Sequence, residues 1–146
     1  MSIPEYHFYH GAALSVLVSS QPFTGLTRIT DISSAYAVNN MIGLYVKRAT
    51  NEDSPWQFTF TEDHQSEIRR LFQRFGEKSF VALVCHHTGI CLLSYGEYRN
   101  VVEEDFTKQR TVIVRRPGAG GFRVSGHGGN HSGVVPLNRY PDGLFA

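Results

Sequence analysis

Phe80 to Cys85 is an unbroken apolar run, FVALVC, of strand length, and no other feature narrows the fold of this chain as far. A strand with one wet face alternates apolar and polar residues, so a run without polar members marks a strand covered on both faces. The residues before it identify one cover. Ile68, Leu71, Phe72 and Phe75 recur at i, i+3, i+4 and i+7, which is one apolar stripe of a helix. Thr61 is a suitable N-cap, Glu62 and Asp63 set negative charge at the positive end of the helix dipole, and Gly76 can take the left-handed backbone beyond the last turn. The stripe is expected to bury against the sheet that contains Phe80–Cys85.

The rest of the chain supplies partners for that strand. Tyr9 to Val18 places Leu14, Leu17 and Val18 on one helical face, and Gln21-Pro22 ends it. Leu26–Asp31, Tyr36–Val38 and Ile42–Arg48 read as short strands, with Ser33-Ser34 and Asn39-Asn40 as turns. Trp56 to Phe60 alternates with the period of a half-buried strand. His86-His87-Thr88-Gly89 turns the chain into Ile90–Tyr95, a hairpin partner for the buried strand. Val101–Lys108 is acidic and irregular, a short helix or a loop, and Thr111–Val114 and Phe122–Val124 flank a glycine turn at Pro117–Gly121. The expectation is an α/β (α+β) chain with a mixed central sheet and two main helices. It divides into one globular domain over 1–125 and a Gly/His-rich tail over 126–146, whose leucine, tyrosine and phenylalanine point to packing back while its glycines point to disorder.

Composition excludes several classes. At 146 residues, 41% hydrophobic and 18% charged, the chain is globular and long enough for a real core. A net charge of +1 gives no global basic field, so nucleic-acid binding would need a local patch. No window reaches the ~18 consecutive apolar residues of a membrane span. The first residues lack a positive charge before their apolar run, which Glu5 interrupts, so no signal peptide is expected and a cytoplasmic setting is the default. Two cysteines, Cys85 and Cys91, are too few for a disulfide framework.

One lysine, Lys47, stands late in the otherwise apolar strand GLYVKR, and a cation there must snorkel, pair or face a site. The order helix, three strands, strand, helix, buried strand, strand resembles the core of the PD-(D/E)xK nuclease superfamily, the restriction-endonuclease-like fold, over roughly Tyr9 to Tyr95. That resemblance implies an Asp at Asp31, in TDISS, and a lysine at Lys47 that together serve a Mg²⁺-dependent phosphodiesterase. The acid two residues before the lysine is replaced by Tyr45, which does not ligate Mg²⁺ as a carboxylate would; Glu5 is the candidate for a migrated acid. The departure favours a fold relative that binds without cutting. Mg²⁺ enters only with the nuclease reading, and no resident cofactor is expected.

The remaining motifs are weaker. His7-x-x-His10, His86-His87 between the cysteines, and His127-x-x-x-His131 have spacings that some metal sites use, but they fit turns better than a closed four-ligand zinc site. No Gly-x-Ser-x-Gly elbow or phosphate loop occurs. Arg48, Arg110, Arg115, Arg116 and Arg123 are the candidates for contacts to a phosphate backbone or an acidic protein. The expected function is a non-catalytic or weakly catalytic binding module for nucleic acid or for a partner that handles it. A metal-dependent nuclease and a protein-interaction or inhibitor module are the rivals, and self-association stays open.

Overall fold

The computed structural model describes residues 2–146, and it is mixed α/β with two sheets. Its order is α1 (Glu5–Val18), β1 (Leu26–Arg28), β2 (Ala35–Val38), β3 (Ile42–Arg48), β4 (Trp56–Phe60), α2 (Glu62–Phe75), β5 (Ser79–Cys85) and β6 (Gly89–Ser94). Then follow α3 (Tyr95–Val102), β7 (Arg110–Arg115), β8 (Arg123–Gly126) and β9 (Gly129–Asn130), with short 3-10 turns in the last residues. The first sheet runs β1-β2-β3-β5-β6, antiparallel except for the parallel pair β3–β5. The second runs β4-β7-β8-β9, antiparallel throughout.

The buried strand is β5, and each of its faces meets a different core. Val81, Leu83 and Cys85 join Ile68 and Leu71 of α2, Tyr98 and Val102 of α3, and the inner residues of the second sheet. Phe80, Ala82 and Val84 face the other way, onto Ala13 and Leu17 of α1 and onto Tyr140 and Leu144 near the C-terminus. Of the expected helical stripe, Ile68 and Leu71 are buried while Phe72 and Phe75 lie partly covered at its margin. α2 approaches β3 closely at Gly43, where a Cβ would lie 2.6 Å from Phe75 and 2.9 Å from Leu71. Gly76 follows the helix at φ +59°, a backbone that favours glycine.

Local differences from the sequence reading have physical causes. α1 begins at Glu5 instead of Tyr9, because Pro4 sits at its N-cap and supplies the carbonyl that accepts from the His7 amide. β1 stops at Arg28, where the Ile29 amide turns to the Ala35 carbonyl. Tyr95 opens α3 instead of ending β6, since Ser94 and Glu97 form a reciprocal capping box. Trp56–Phe60 leaves the central sheet and pairs with β7, burying Trp56, Phe58 and Phe60 against the first sheet's core and turning Gln57 and Thr59 outward. In the tail, the Tyr140 hydroxyl donates to the Ala13 carbonyl at 2.6 Å, and Val135 exchanges backbone hydrogen bonds with Phe122. No helix is long and apolar enough to cross a membrane among the described residues.

Candidate functional site

β3 outruns its neighbour β2: pairing with β2 ends at Tyr45, after which only the Val46 amide reaches across, to the Ser34 carbonyl. The last residues of β3 therefore stand at an open edge, with Lys47 on the α2 side and Arg48 on the α1 side. A cavity of about 420 Å³ opens there, lined by Lys47 and Arg48, by His64 and Thr59 on one side and by His10 and Tyr6 on the other. No carboxylate lines it.

Lys47 is half-buried. Its Nζ lies 3.1 Å from His64 Nδ1 and 5.2 Å from the centre of the Phe60 ring, and no acidic group forms an ion pair with it among the described residues. Burial, with Arg48 beside it, lowers the ammonium from 10.5 to about 8, against a smaller upward pull from Glu67. His64 is at the third position of α2, where it replaces the usual Glu or Gln of a capping box. Its Nδ1 accepts from the Thr61 amide at 3.2 Å, and a backbone N–H can only donate, so Nδ1 carries the lone pair and Nε2 the proton. Burial and then the Lys47 charge lower its pKa, against smaller upward pulls from the Thr59 backbone, Glu67 and Asp63.

Arg48 stacks over Tyr9, 5.1 Å from the ring centre. Its Nη1 is 3.7 Å from Glu5 Oε2, inside ion-pair range but beyond hydrogen-bond reach, and this buried nitrogen has no acceptor among the described residues. A buried donor without a partner is costly and marks a place where an acceptor would be favoured. His10 is buried by α1, with Nδ1 2.7 Å from the Tyr36 hydroxyl; burial, then His7 and Arg48, lowers its pKa.

The three residues expected as catalytic are separated by their partners. Asp31 is exposed and tied to α2, with Arg74 Nη1 at 2.8 Å and Arg70 at 4.0 Å. Glu5 pairs with Arg48, and Lys47 with His64. A carboxylate does reach the position of the missing acid: Glu67 Oε1 accepts from the Tyr45 hydroxyl at 2.8 Å, while Oε2 accepts from the Ser33 amide and hydroxyl. Burial pushes the Glu67 carboxyl up, but these three donors outweigh it and hold it below the ordinary range. Burial and Glu67 together push the Tyr45 phenol up, so it stays a neutral donor. No group of three or more His, Cys, Asp or Glu side chains is arranged to hold a metal ion among the described residues.

The arginines divide in the same way. Arg110 is buried and spans Asp105 and Glu103, donating to the Glu103 carbonyl at 2.9 Å. Arg116 bonds the Gly120 and Ala119 carbonyls and fastens the glycine turn. Arg115 and Arg123 are exposed cross-strand partners on β7 and β8, and neither has an acidic partner among the described residues. Like charges directly opposed repel, a cost that a bound anion would relieve. Paired residues share a face, so Gln57–Ile113–Ser125, Thr59–Thr111 and Arg115–Arg123 form the outer face of the second sheet. That face carries no acid, and its edge residues Gln57 and Thr59 also line the Lys47 cavity.

The other candidates stand apart. His86 and His87 cap the β5–β6 turn against each other, and His131 lies 3.7 Å from Glu97. Cys85 and Cys91 are buried thiols; burial pushes both up, Cys91 to about 12, so neither is a thiolate at neutral pH. A wider groove of about 730 Å³ beside α3 mixes Arg69 and Arg99 with Glu103 and Glu104, charges that neutralise one another. His64 and Glu67 were missed by sequence reasoning; the signal for them was their i, i+3 spacing in the first turns of α2, one face of a helix whose N-cap was legible. No family model, no curated protein and no solved structure matches this chain.

Proposed function

We propose that this chain is a nucleic-acid-binding module of nuclease-like layout that holds a strand without efficiently cutting it. One phosphate sits at the cavity of Lys47, Arg48 and the His64 Nε2 proton, and the strand continues over the acid-free face to Arg115 and Arg123. The observation that carries this reading is the pair of cations at the end of β3. Among the described residues they open to a cavity with no carboxylate in its lining, and Arg48 Nη1 is buried there without an acceptor. The lack of a basic field over the whole molecule is consistent with it, since the positive charge is local.

Fluorescence anisotropy with labelled single-stranded and duplex oligonucleotides over a salt series tests the reading. Binding should weaken steeply as salt rises, because neutralised phosphates release counterions. Replacing Arg115 and Arg123 together with Gln should weaken all sequences alike and lower the salt slope by about two. Binding that is absent or indifferent to salt would move the assignment to a protein partner, for which the exposed Ile3, Phe8, Val16 and Val18 on and before α1 offer apolar surface.

The metal-dependent nuclease remains the second reading, favoured by the Glu67 carboxylate at Tyr45. Against it, both Glu67 oxygens are engaged and Asp31 is neutralised by Arg74. Mg²⁺- or Mn²⁺-dependent cleavage by the purified protein, lost in Lys47→Ala, would replace the binding reading with the nuclease.

A further inference from the structure

We propose that Lys47 is a nucleophile, and that the ligand it captures is an aldehyde carried on the nucleic-acid backbone: the open-chain sugar of an abasic residue. The proposal rests on the nucleic-acid reading above and narrows its substrate. The Lys47 lone pair attacks the C1 carbonyl carbon, forming a C–N bond and a carbinolamine. Loss of the carbinolamine hydroxyl as water then leaves a C=N imine. One water is released, and no oxidant or reductant is consumed.

Three features of the site fit an amine that reacts more than one that only attracts phosphate. No carboxylate clamps Nζ among the described residues; it contacts the His64 ring and lies over the Phe60 face. His64 Nδ1 lies 3.1 Å from Nζ and is unprotonated because the Thr61 amide fixes the tautomer, so an acceptor, shared with that amide, stands beside the ammonium. The charged and titratable groups around Nζ are Arg48 and Tyr45 on β3, His64 and Glu67 on α2, and His10 and Tyr6 on α1. The nearest cation disfavours the ammonium, and Glu67 is turned to Tyr45 and Ser33. An amine titrating near 8 is neutral at pH 7 about two orders of magnitude more often than an ordinary lysine.

An abasic residue suits the site where an intact nucleotide does not, because only the abasic sugar offers the amine a carbonyl carbon, and it differs from a free carbonyl compound in bringing a phosphate to Arg48. The cavity volume of about 420 Å³ is near the small end of ligand sites, enough for a sugar and its phosphate. Arg48 Nη1 offers its unused donor to the flanking phosphate, and Thr59 and Gln57 offer a hydroxyl and an amide to the sugar. Removing the base exposes C1 as an aldehyde in equilibrium with its closed form, the only position on the backbone at which an amine can condense.

Reductive trapping tests this. A single-stranded oligonucleotide with one abasic site, the same strand intact, and free 2-deoxyribose 5-phosphate are each incubated with the protein and borohydride. Intact-strand anisotropy is measured in parallel, so that failure of the binding reading is recognised separately. The expected result is a covalent adduct with the abasic strand alone, mapped by mass spectrometry to Lys47 and not to the exposed Lys78 or Lys108. Its yield should rise with pH through about 8. Lys47→Arg keeps the charge but cannot form the imine, and should lower the yield about tenfold or more. Absence of an adduct while the intact strand still binds would overturn the proposal. So would mapping to another amine, or an undiminished yield in Lys47→Arg. Equal trapping of the free sugar phosphate would overturn the assignment to a strand.

Discussion

An ammonium that titrates at about 8 in the folded chain and near 10.5 when released from it ties stability to pH at a single residue. Between those values the unfolded chain binds more protons, so stability should rise with pH; below about 8 the cost of the buried charge is fully present. Lys47→Met removes that cost, and should stabilise the protein at pH 7 by on the order of 1–2 kcal/mol, discounted for partial exposure. The gain should shrink towards pH 10.5. Urea unfolding at both pH values checks it, and a pH-independent gain would mean that Lys47 packing, not its charge, is being read. His64 serves the helix and the site at once, and two substitutions separate the roles. His64→Gln can keep the capping box and should change stability by less than about 0.5 kcal/mol while weakening oligonucleotide binding. His64→Ala should cost about 1 kcal/mol besides. Denaturation and anisotropy on the same two variants decide the matter, and equal stability losses would show that the ring does not cap. Lys47 was legible in the sequence because a cation in an apolar strand is conspicuous. His64 and Glu67 were not, because polar residues in the first turns of a helix are ordinarily solvated and only the fold turns them towards β3.

Among the elements, α2 and β5 were readable for one reason: cap, stripe, terminal glycine and apolar run are all local signals. Which stripe residue matters most depended on tertiary packing. Leu71 is fully buried and Phe72 lies half-covered, stacked 4.2 Å from Tyr95. Leu71→Ala should therefore cost about 2–5 kcal/mol and Phe72→Ala clearly less, as guanidinium titration would show. The reverse order would mean that the face of α2 has been misassigned. Gly43→Val should drive a side chain into Phe75 and Leu71 and cost about 1–3 kcal/mol, seen as a lower melting temperature. α3 escaped the sequence reading because its N-cap is the last residue of β6, which leaves no turn residues to separate strand from helix. β4 was recognised as a strand but not as a member of a second sheet. Alternation reports which face is buried, and says nothing about which strand lies alongside.

Across the whole molecule, the first sheet is closed on one side by α2, α3 and the second sheet, and on the other by α1 with the C-terminal segment. That second cover is shared: Tyr140 and Leu144 complete what Ala13 and Leu17 begin. Tyr140→Phe removes one buried hydrogen bond while the Ala13 carbonyl, inside α1, keeps its helical amide, so it should cost about 0.5–1.5 kcal/mol in thermal or chemical unfolding. An unchanged midpoint would mean that water replaces the hydroxyl. The tail's glycines concealed this, since four of the five sit in the 126–133 stretch while the anchoring residues come later. The Tyr140–Ala13 contact spans 127 residues. A chain leaving the ribosome would thus present α1 early and leave the cover of one flank of its central strands incomplete until residue 140 emerges. Over that interval the share of the Leu44, Val46, Ala82 and Val84 surface that Tyr140 and Leu144 later cover stays open to water, the kind of apolar surface through which incomplete chains stick to one another.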